Sequence, residues 1–338
     1  MRADLALIGF GHVGQRFARL LDEQRESLTA DHELSCRIVA TATRRHGSEA
    51  GGQPCADTFA AISYLAASDA DLRVVVETTT LNIERGEPAI SHVRAAIAAG
   101  CHVVTANKGP VAFAYESLRD AAAAAGVSFL FEGAVMDGVP VFNMIRATLP
   151  CVRIHGFEGV VNTTTNHILT EMERGAGFAE ALTKMQAEGI AEADPSLDTD
   201  GWDAAAKTAA LANVLMGARI TPHDVARSGI AEATGDLARS ARARGRRIKL
   251  VASARRSSDG ALHARVEPRE LPADHLLAGL DGNANALIIE TDLLGRIAIV
   301  QLSGSLTQTA YALLTDLISI ARTHGPSDPR TLGPSDPK

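Results

Sequence analysis

The stretch Leu5-Ala6-Leu7-Ile8-Gly9-Phe10-Gly11-His12-Val13-Gly14 decides the fold. Its apolar half reads as a strand, and the helical pattern His12–Leu28 follows at once. Glycines at G-x-G-x-x-G spacing join the two. Gly9 permits a tight turn, Gly11 lets backbone approach a pyrophosphate, and Gly14 lets helix and strand pack closely. The helix N-terminus favours negative charge there. Gly9, Phe10, Gly11, His12, Val13 and Gly14 are therefore candidate dinucleotide contacts. A glycine-rich structural turn is the competing reading; the position between a strand and a helix favours the nucleotide.

Working outward, Cys36–Thr43 reads as the second strand and ends in Arg44-Arg45-His46. An NAD site usually places a carboxylate there for the ribose 2′-hydroxyl. None is present, and arginines suit a 2′-phosphate through bidentate hydrogen bonds. Arg44 and Arg45 thus point to NADP over NAD, unless they are solvated loop residues. Leu72–Glu77 is a β-branched run that reads as a buried strand. Thr78, Thr79 and Thr80 follow it, at the sheet edge where a cofactor lies; Thr78 and Thr79 are taken as contacts. Glu87–Ala99 reads as a helix stopped by Gly100, Cys101–Thr105 as a strand, Tyr115–Ala125 as a helix and Val127–Phe131 as a strand. Alternation of apolar strands with helices predicts an α/β, Rossmann-type doubly wound parallel sheet covered on both faces.

The pattern changes after residue 150. Strands become amphipathic from Arg153, long helices follow at Phe178–Glu188 and Trp202–Met216, and strand pairs recur near Leu250–Val266 and Ala286–Leu302. This predicts an α+β domain with an antiparallel or mixed sheet. Expected boundaries are 1–150 for dinucleotide binding, completed by a returning helix over 307–323, and 151–306 for substrate binding and dimerisation. The tail 325–338 repeats GPSDP and is expected to be disordered.

The 338-residue length suits two domains, and a net charge of −7 repels nucleic acid. Arg239, Arg242, Arg244, Arg246, Arg247 and Lys249 cluster; a solvated helix face or loop is the first reading and an anion contact the second. Cys36, Cys55, Cys101 and Cys151 are widely spaced and read as reduced, buried thiols. No signal peptide and no run of about 20 apolar residues stand out. A cytoplasmic protein with no membrane partner is expected. His12, His102 and His167 read as packed or capping residues, with the backbone of His12 mattering more than its ring.

The acidic loop Glu192-Ala193-Asp194-Pro195-Ser196-Leu197-Asp198-Thr199-Asp200 leads into Trp202-Asp203-Ala204-Ala205-Ala206-Lys207. Asp203 and Lys207 stand at i and i+4 and share one helix face. A surface ion pair is the plain reading. Against it, the helix is rich in Ala and Leu, as a buried helix would be, and an acidic loop able to hold an ammonium precedes it.

This stretch resembles the homoserine dehydrogenase signature, a loop with a DP dipeptide leading to a D-x-x-x-K helix. Val104-Thr105-Ala106-Asn107-Lys108-Gly109 resembles the family's TANK segment, Glu132–Pro140 its ExxVxxGxP segment, and Asn162-Thr163-Thr164-Thr165-Asn166 its NGTTN segment. The resemblance implies interconversion of L-homoserine and L-aspartate 4-semialdehyde with NAD or NADP. It implies Lys207 as proton donor to the aldehyde oxygen, Asp203 beside it, and Lys108 between cofactor and substrate. Glu192, Asp198 and Thr164 would meet the substrate, and Gly304 the cofactor. Glu132, Val135, Asp137 and Val139 match a monovalent-cation site, for sodium or potassium, built mostly from backbone carbonyls. A homodimer is also implied, and because the chain ends soon after its last helix no C-terminal regulatory domain is expected.

The chemistry agrees: hydride attack places negative charge on the carbonyl oxygen, which a lysine ammonium stabilises and protonates. Two lysines at one oxyanion are expected to lower each other's pKa. Three segments depart from the family: Thr163 stands for glycine, Ile190 for tyrosine, and Gln301-Leu302-Ser303-Gly304-Ser305 for a glycine-rich GPGAG-like loop. They leave open a related dehydrogenase with another small amino-acid or oxo-acid aldehyde substrate, and a nucleotide-binding sensor or pseudoenzyme with weakened catalysis.

Overall fold

The computed structural model describes residues 1–44, 47–188, 191 and 194–325. Arg45, Ile190, Glu192 and the tail from 326 lie outside the described residues, and so do the expectations placed on them.

The chain begins with β1 (Arg2–Ile8), α1 (His12–Glu23), α2 (Arg25–His32), β2 (Ser35–Thr43), β3 (Gly47–Ala50), β4 (Gln53–Cys55) and α3 (Thr58–Ala66). It continues with β5 (Leu72–Glu77), α4 (Ala89–Ala98), β6 (His102–Thr105), α5 (Lys108–Ala125), β7 (Phe129–Leu130) and α6 (Phe142–Thr148). Strands β2, β1, β5, β6 and β7 pair in parallel, and the full order is β4-β3-β2-β1-β5-β6-β7. Alternate residues of β1 serve opposite faces. Leu5 and Leu7 join a core with Phe17 and Leu20, while Ala6 and Ile8 join one with Ile62, Leu65, Val93 and Ile97. This is why the strand is apolar throughout.

The sheet is not purely parallel. β3 runs antiparallel to β2, and β4 to β3. These short edge strands, Gly-Ser-Glu-Ala and Gln-Pro-Cys, carry no apolar run to reveal them, and Pro54 is tolerated at an edge. The first helix also ends sooner than its periodicity predicts, at Glu23, and α2 restarts at Arg25.

The second half comprises β8 (Ile154–Val160), α7 (Thr163–Glu173), α8 (Phe178–Ala187), α9 (Ser196–Thr199), α10 (Trp202–Met216), β9 (Ala226–Arg227), α11 (Glu232–Ala243), β10 (Arg246–Arg256), β11 (Leu262–Pro272), β12 (Asn285–Thr291), β13 (Arg296–Gln301) and α12 (Leu306–His324). Its sheet order is β13-β12-β8-β10-β11-β9, antiparallel except where β9 meets β11. Helix α10 is buried almost all round, with Ala205, Ala206, Ala209 and Ala210 at 0% exposure. It ends at Gly217 in the left-handed conformation, φ +60°. α12 returns to the first sheet, where Leu313, Leu317 and Ile320 join the core of Leu5, Leu7 and Phe17.

The basic cluster divides: Arg239, Arg242 and Arg244 are exposed, as a solvated face would be, whereas Arg247 and Lys249 are not. Lys249 is fully buried in β10, donating to Asn166 Oδ1 at 2.9 Å and to the Leu280 carbonyl. Arg247 pairs with buried Glu173 and with Asp281. The register of β10 turns these side chains inward, which a run of basic letters does not disclose. Nor are all four cysteines buried: Cys151 is exposed, and its backbone is left-handed, φ +65°. Burial pushes the Cys36 and Cys101 thiols up to about 11. No helix among the described residues is long and apolar enough to cross a membrane.

Candidate active site

From β1 the chain passes to β2 on one side, while β5 lies on the other. The loops after β1 and β5 therefore face each other at the switch point where open α/β sheets form a crevice. Thr78 closes the floor: its N–H donates to Ile8 O at 2.7 Å and its hydroxyl to Gly9 O at 2.6 Å. At Gly9, φ +90°, a Cβ would sit 2.7 Å from the Thr78 backbone. At Gly14 it would sit 2.6 Å from Gly9 O. Gly11 differs, since a Cβ there would meet nothing within 4 Å. The space before the α1 N-terminus is open, and Gly11 provides no side-chain cap. A dinucleotide pyrophosphate fits this cradle, which leaves the first amides of α1 for an anion. Phe10 packs against the β1 core, and His12 is exposed, so its ring is not held.

Buried Glu77 organises the next layer. Its carboxylate accepts the Thr79 N–H at 3.0 Å, the Thr79 hydroxyl, and the Thr105 hydroxyl at 2.9 Å. Asn107 Nδ2 donates to Thr79 O at 2.9 Å, and its Oδ1 caps α5 by accepting the Gly109 N–H at 2.8 Å. The helix therefore starts at Lys108 and passes the non-helical Ala114 before the expected segment Tyr115–Ala125. The early start holds Lys108 in the first turn.

A second cluster gathers side chains from distant parts of the chain. Asp203 receives Lys108 Nζ at 3.1 Å on one oxygen and Lys207 Nζ at 2.9 Å on the other. Lys207 also donates to Val161 O at 2.6 Å. Asn162 Nδ2 bridges Asp198 at 2.6 Å and Asp203 at 2.9 Å, while Asn162 Oδ1 caps α7 by accepting the Thr165 N–H at 2.8 Å. Thr164 hydrogen-bonds Asp198 from the same turn.

Burial pushes Asp203 up, but the Lys108 and Lys207 charges and the Asn162 hydrogen bond overcome it and hold the carboxyl well below the usual range. Burial of Lys207 pulls its ammonium down, but Asp203 and then Asp137 outweigh this, and its pKa is raised. The expected lowering is therefore not found at Lys207, where the Asp203 charge dominates. Asp198 is pushed up by burial and by the Asp203 charge.

Lys108, Lys207, Val13, Thr78, Thr79 and Asp137 line one cleft. Gly304 borders it, a Cβ there lying 3.0 Å from Asp137 Oδ2. Arg44 is exposed just past the end of β2. The Glu132 carboxylate is occupied by the N–H groups of Phe142 at 2.9 Å and Asn143 at 2.6 Å, and the Val139 carbonyl accepts the Val141 N–H at 2.8 Å. Val135 is fully buried. Among the described residues no group of three or more His, Cys, Asp or Glu could hold a metal, so an ion in this loop would rest on carbonyl oxygens. Asn162 and Asn107 lie within the motifs without a role evident from the sequence; each joins a helix cap to a neighbouring polar group of the cleft, which only the fold reveals. His167 is packed, 2.6 Å from Asn283 Oδ1.

A family profile described as homoserine dehydrogenase matches residues 140–318, and one described as homoserine dehydrogenase, NAD binding domain, matches 9–132. The chain is 38% identical to an NAD(+)-dependent homoserine dehydrogenase of Pseudomonas canavaninivorans, over 94% of this chain and 95% of that one. It is 34% identical to a homoserine dehydrogenase of Methanocaldococcus jannaschii, over 94% and 98%. The crystal structure of a homoserine dehydrogenase from Thiobacillus denitrificans superposes with a TM-score of 0.85 at 33% identity, covering 96% of this chain and 74% of that one.

Proposed function

The chain belongs to the homoserine dehydrogenase family, and from that premise we propose that its cleft interconverts L-homoserine and L-aspartate 4-semialdehyde, with Lys207 as proton donor. The carrying observation is the Lys108–Asp203–Lys207 group, which lines the same cleft as Val13 and Thr78 of the dinucleotide crevice. A bound nicotinamide dinucleotide supplies or removes the hydride.

In the reducing direction the carbonyl carbon gains a C–H bond and the π electrons move to oxygen. Lys207 Nζ gives that oxygen a proton, and the resulting amine takes one back from water. A raised pKa keeps Lys207 charged near neutral pH, ready to donate. Asp203 holds both ammonium groups in register. Lys108, fixed by the Asn107 cap, stabilises the developing charge from the cofactor side. Asp198, Thr164 and Glu192 hold the substrate's amino-acid end.

Missing a carboxylate at the end of β2, and with Arg44 exposed there, the cofactor site favours NADP over NAD. Carbonyl oxygens of Glu132, Val135, Asp137 and Val139 suit a hard monovalent ion, sodium or potassium. The residues before about 150, with α12, form the dinucleotide unit; those from 151 to 306 form the substrate unit, through which a homodimer assembles.

The test is reduced-nicotinamide absorbance with L-homoserine, run with NAD and NADP in parallel and with sodium or potassium varied. Turnover with NADP above that with NAD is expected. No turnover with either cofactor defeats the proposal. Lys207→Ala should cut turnover by roughly 10²–10⁴-fold while dinucleotide binding survives; unchanged turnover removes Lys207 from its role.

A further inference from the structure

We infer that the Asp137 carboxylate, held by Gln301 and Thr309, is a counter-charge for the oxidised nicotinamide ring and biases the site toward the oxidised cofactor. The inference rests on the dinucleotide reading above and adds a residue-specific preference between the cofactor's two redox states.

The carboxylate is placed by several independent features. Met136 and Asp137 both adopt left-handed backbone, each with φ +54°, a conformation Asp tolerates and Met rarely adopts. Asp137 Oδ2 accepts Gln301 Nε2 at 3.2 Å, and Oδ1 accepts the Thr309 hydroxyl at 3.3 Å. Gln301 is itself fixed, donating to Gln308 Oε1 at 3.0 Å and accepting Asn285 Nδ2 at 3.1 Å. Asn285 Nδ2 also reaches the Thr163 hydroxyl at 3.0 Å. Thr163 and Gln301, both departures from the family pattern, therefore belong to one hydrogen-bonded chain that ends on Asp137. Gly304 leaves room for the carboxylate, since a Cβ there would press on it at 3.0 Å.

Charge supplies the reason. At the reacting end two ammonium groups, Lys108 and Lys207, face the single carboxylate of Asp203. Asp198 lies behind Asn162. Gln301 and Thr309 are neutral donors, so they hold the Asp137 carboxylate without cancelling its charge. Hydride transfer brings the nicotinamide ring against the substrate carbon, and so into this cleft. The oxidised ring carries a positive charge and the reduced ring none. A fixed carboxylate among the cleft-lining groups therefore attracts one form and is nearly indifferent to the other.

The test compares dissociation constants of the oxidised and reduced cofactor, by calorimetry or protein fluorescence, at fixed pH and fixed monovalent salt. Asp137→Asn keeps the shape and the tolerance of left-handed backbone but removes the charge. It should weaken the oxidised form by about three- to tenfold and leave the reduced form within about twofold. Gln301→Leu should move the same ratio in the same direction, by less. Equal changes in both forms, or none, overturn the inference while leaving the dinucleotide reading intact. Failure of the unmodified protein to bind either form overturns both.

Discussion

Asp203 accepts from two lysines on separate oxygens, and this decides how both behave. Asp203→Asn removes the charge that most strongly opposes the desolvation of Lys207. The Lys207 pKa then falls. Aldehyde reduction, which needs the protonated form, should be lost at lower pH than in the unmodified enzyme, and kcat against pH reads this directly. An alkaline limb that stays in place contradicts the assignment. Asn162 gives a second prediction. Asn162→Asp keeps an oxygen for the Thr165 N–H but replaces the donor facing Asp198 and Asp203 with a third carboxylate. It should cost about 1–3 kcal/mol and lower turnover, whereas Asn162→Ser keeps the cap and loses only the bridge. Thermal unfolding alongside kcat separates the two variants. The Asp203–Lys207 pair was legible as an i, i+4 spacing. The partnership with Lys108 was not, because the α5 N-terminus brings it from a different sheet. Nor was the sign of the Lys207 shift, which depends on a carboxylate lying between the two lysines rather than beside them.

Elements differ in how plainly the chain declares them. β5 and α10 were read to the residue, because an apolar β-branched run and a capped Ala-rich helix each have one periodicity. β3 and β4 went unseen because edge strands bury little and need no apolar pattern. The Tyr115–Ala125 part of α5 is legible and begins just past the non-helical Ala114; the part from Lys108 is not, although Pro is compatible with a helix's first turn and the Asn107 cap supplies the start. The glycine loop joining β1 to α1 allows a prediction at this scale. Gly9→Ala forces a Cβ into the Thr78 backbone at 2.7 Å from a left-handed position, so it should lower stability and dinucleotide binding together. Gly11→Ala meets nothing within 4 Å, so it should leave the melting temperature unchanged and weaken dinucleotide binding alone. Calorimetric melting and binding isotherms on the two variants check this. A destabilised Gly11→Ala would show that the loop is packed for structure rather than opened for a ligand.

At the scale of the molecule, the two sheets are joined by more than the cleft. Asn213 of α10 donates to the Val111 and Ala112 carbonyls at 3.2 and 3.3 Å, beside the non-helical Ala114 within α5. α12 puts Leu313 and Leu317 in the β1 core, while its Asp316 accepts the Glu132 N–H at 2.8 Å and Asn143 Nδ2 at 3.0 Å. Its first turn carries Gln308 to Gln301, at the end of β13 in the other sheet. Elements buried in this way should lose their structure together, so heating should give one transition rather than two. A dinucleotide at a hundred times its dissociation constant should then raise the stability of the whole chain by about 2.7 kcal/mol. Leu317→Ala, at a fully buried site remote from the cleft, should lower that same single transition by about 2–5 kcal/mol. Differential scanning calorimetry with and without cofactor reads both effects. Two transitions, with only one moved by the dinucleotide, would mean that α12 and the α5–α10 contact do not bind the halves into one cooperative unit. The cleft would then open and close by the halves parting rather than by movement of its side chains.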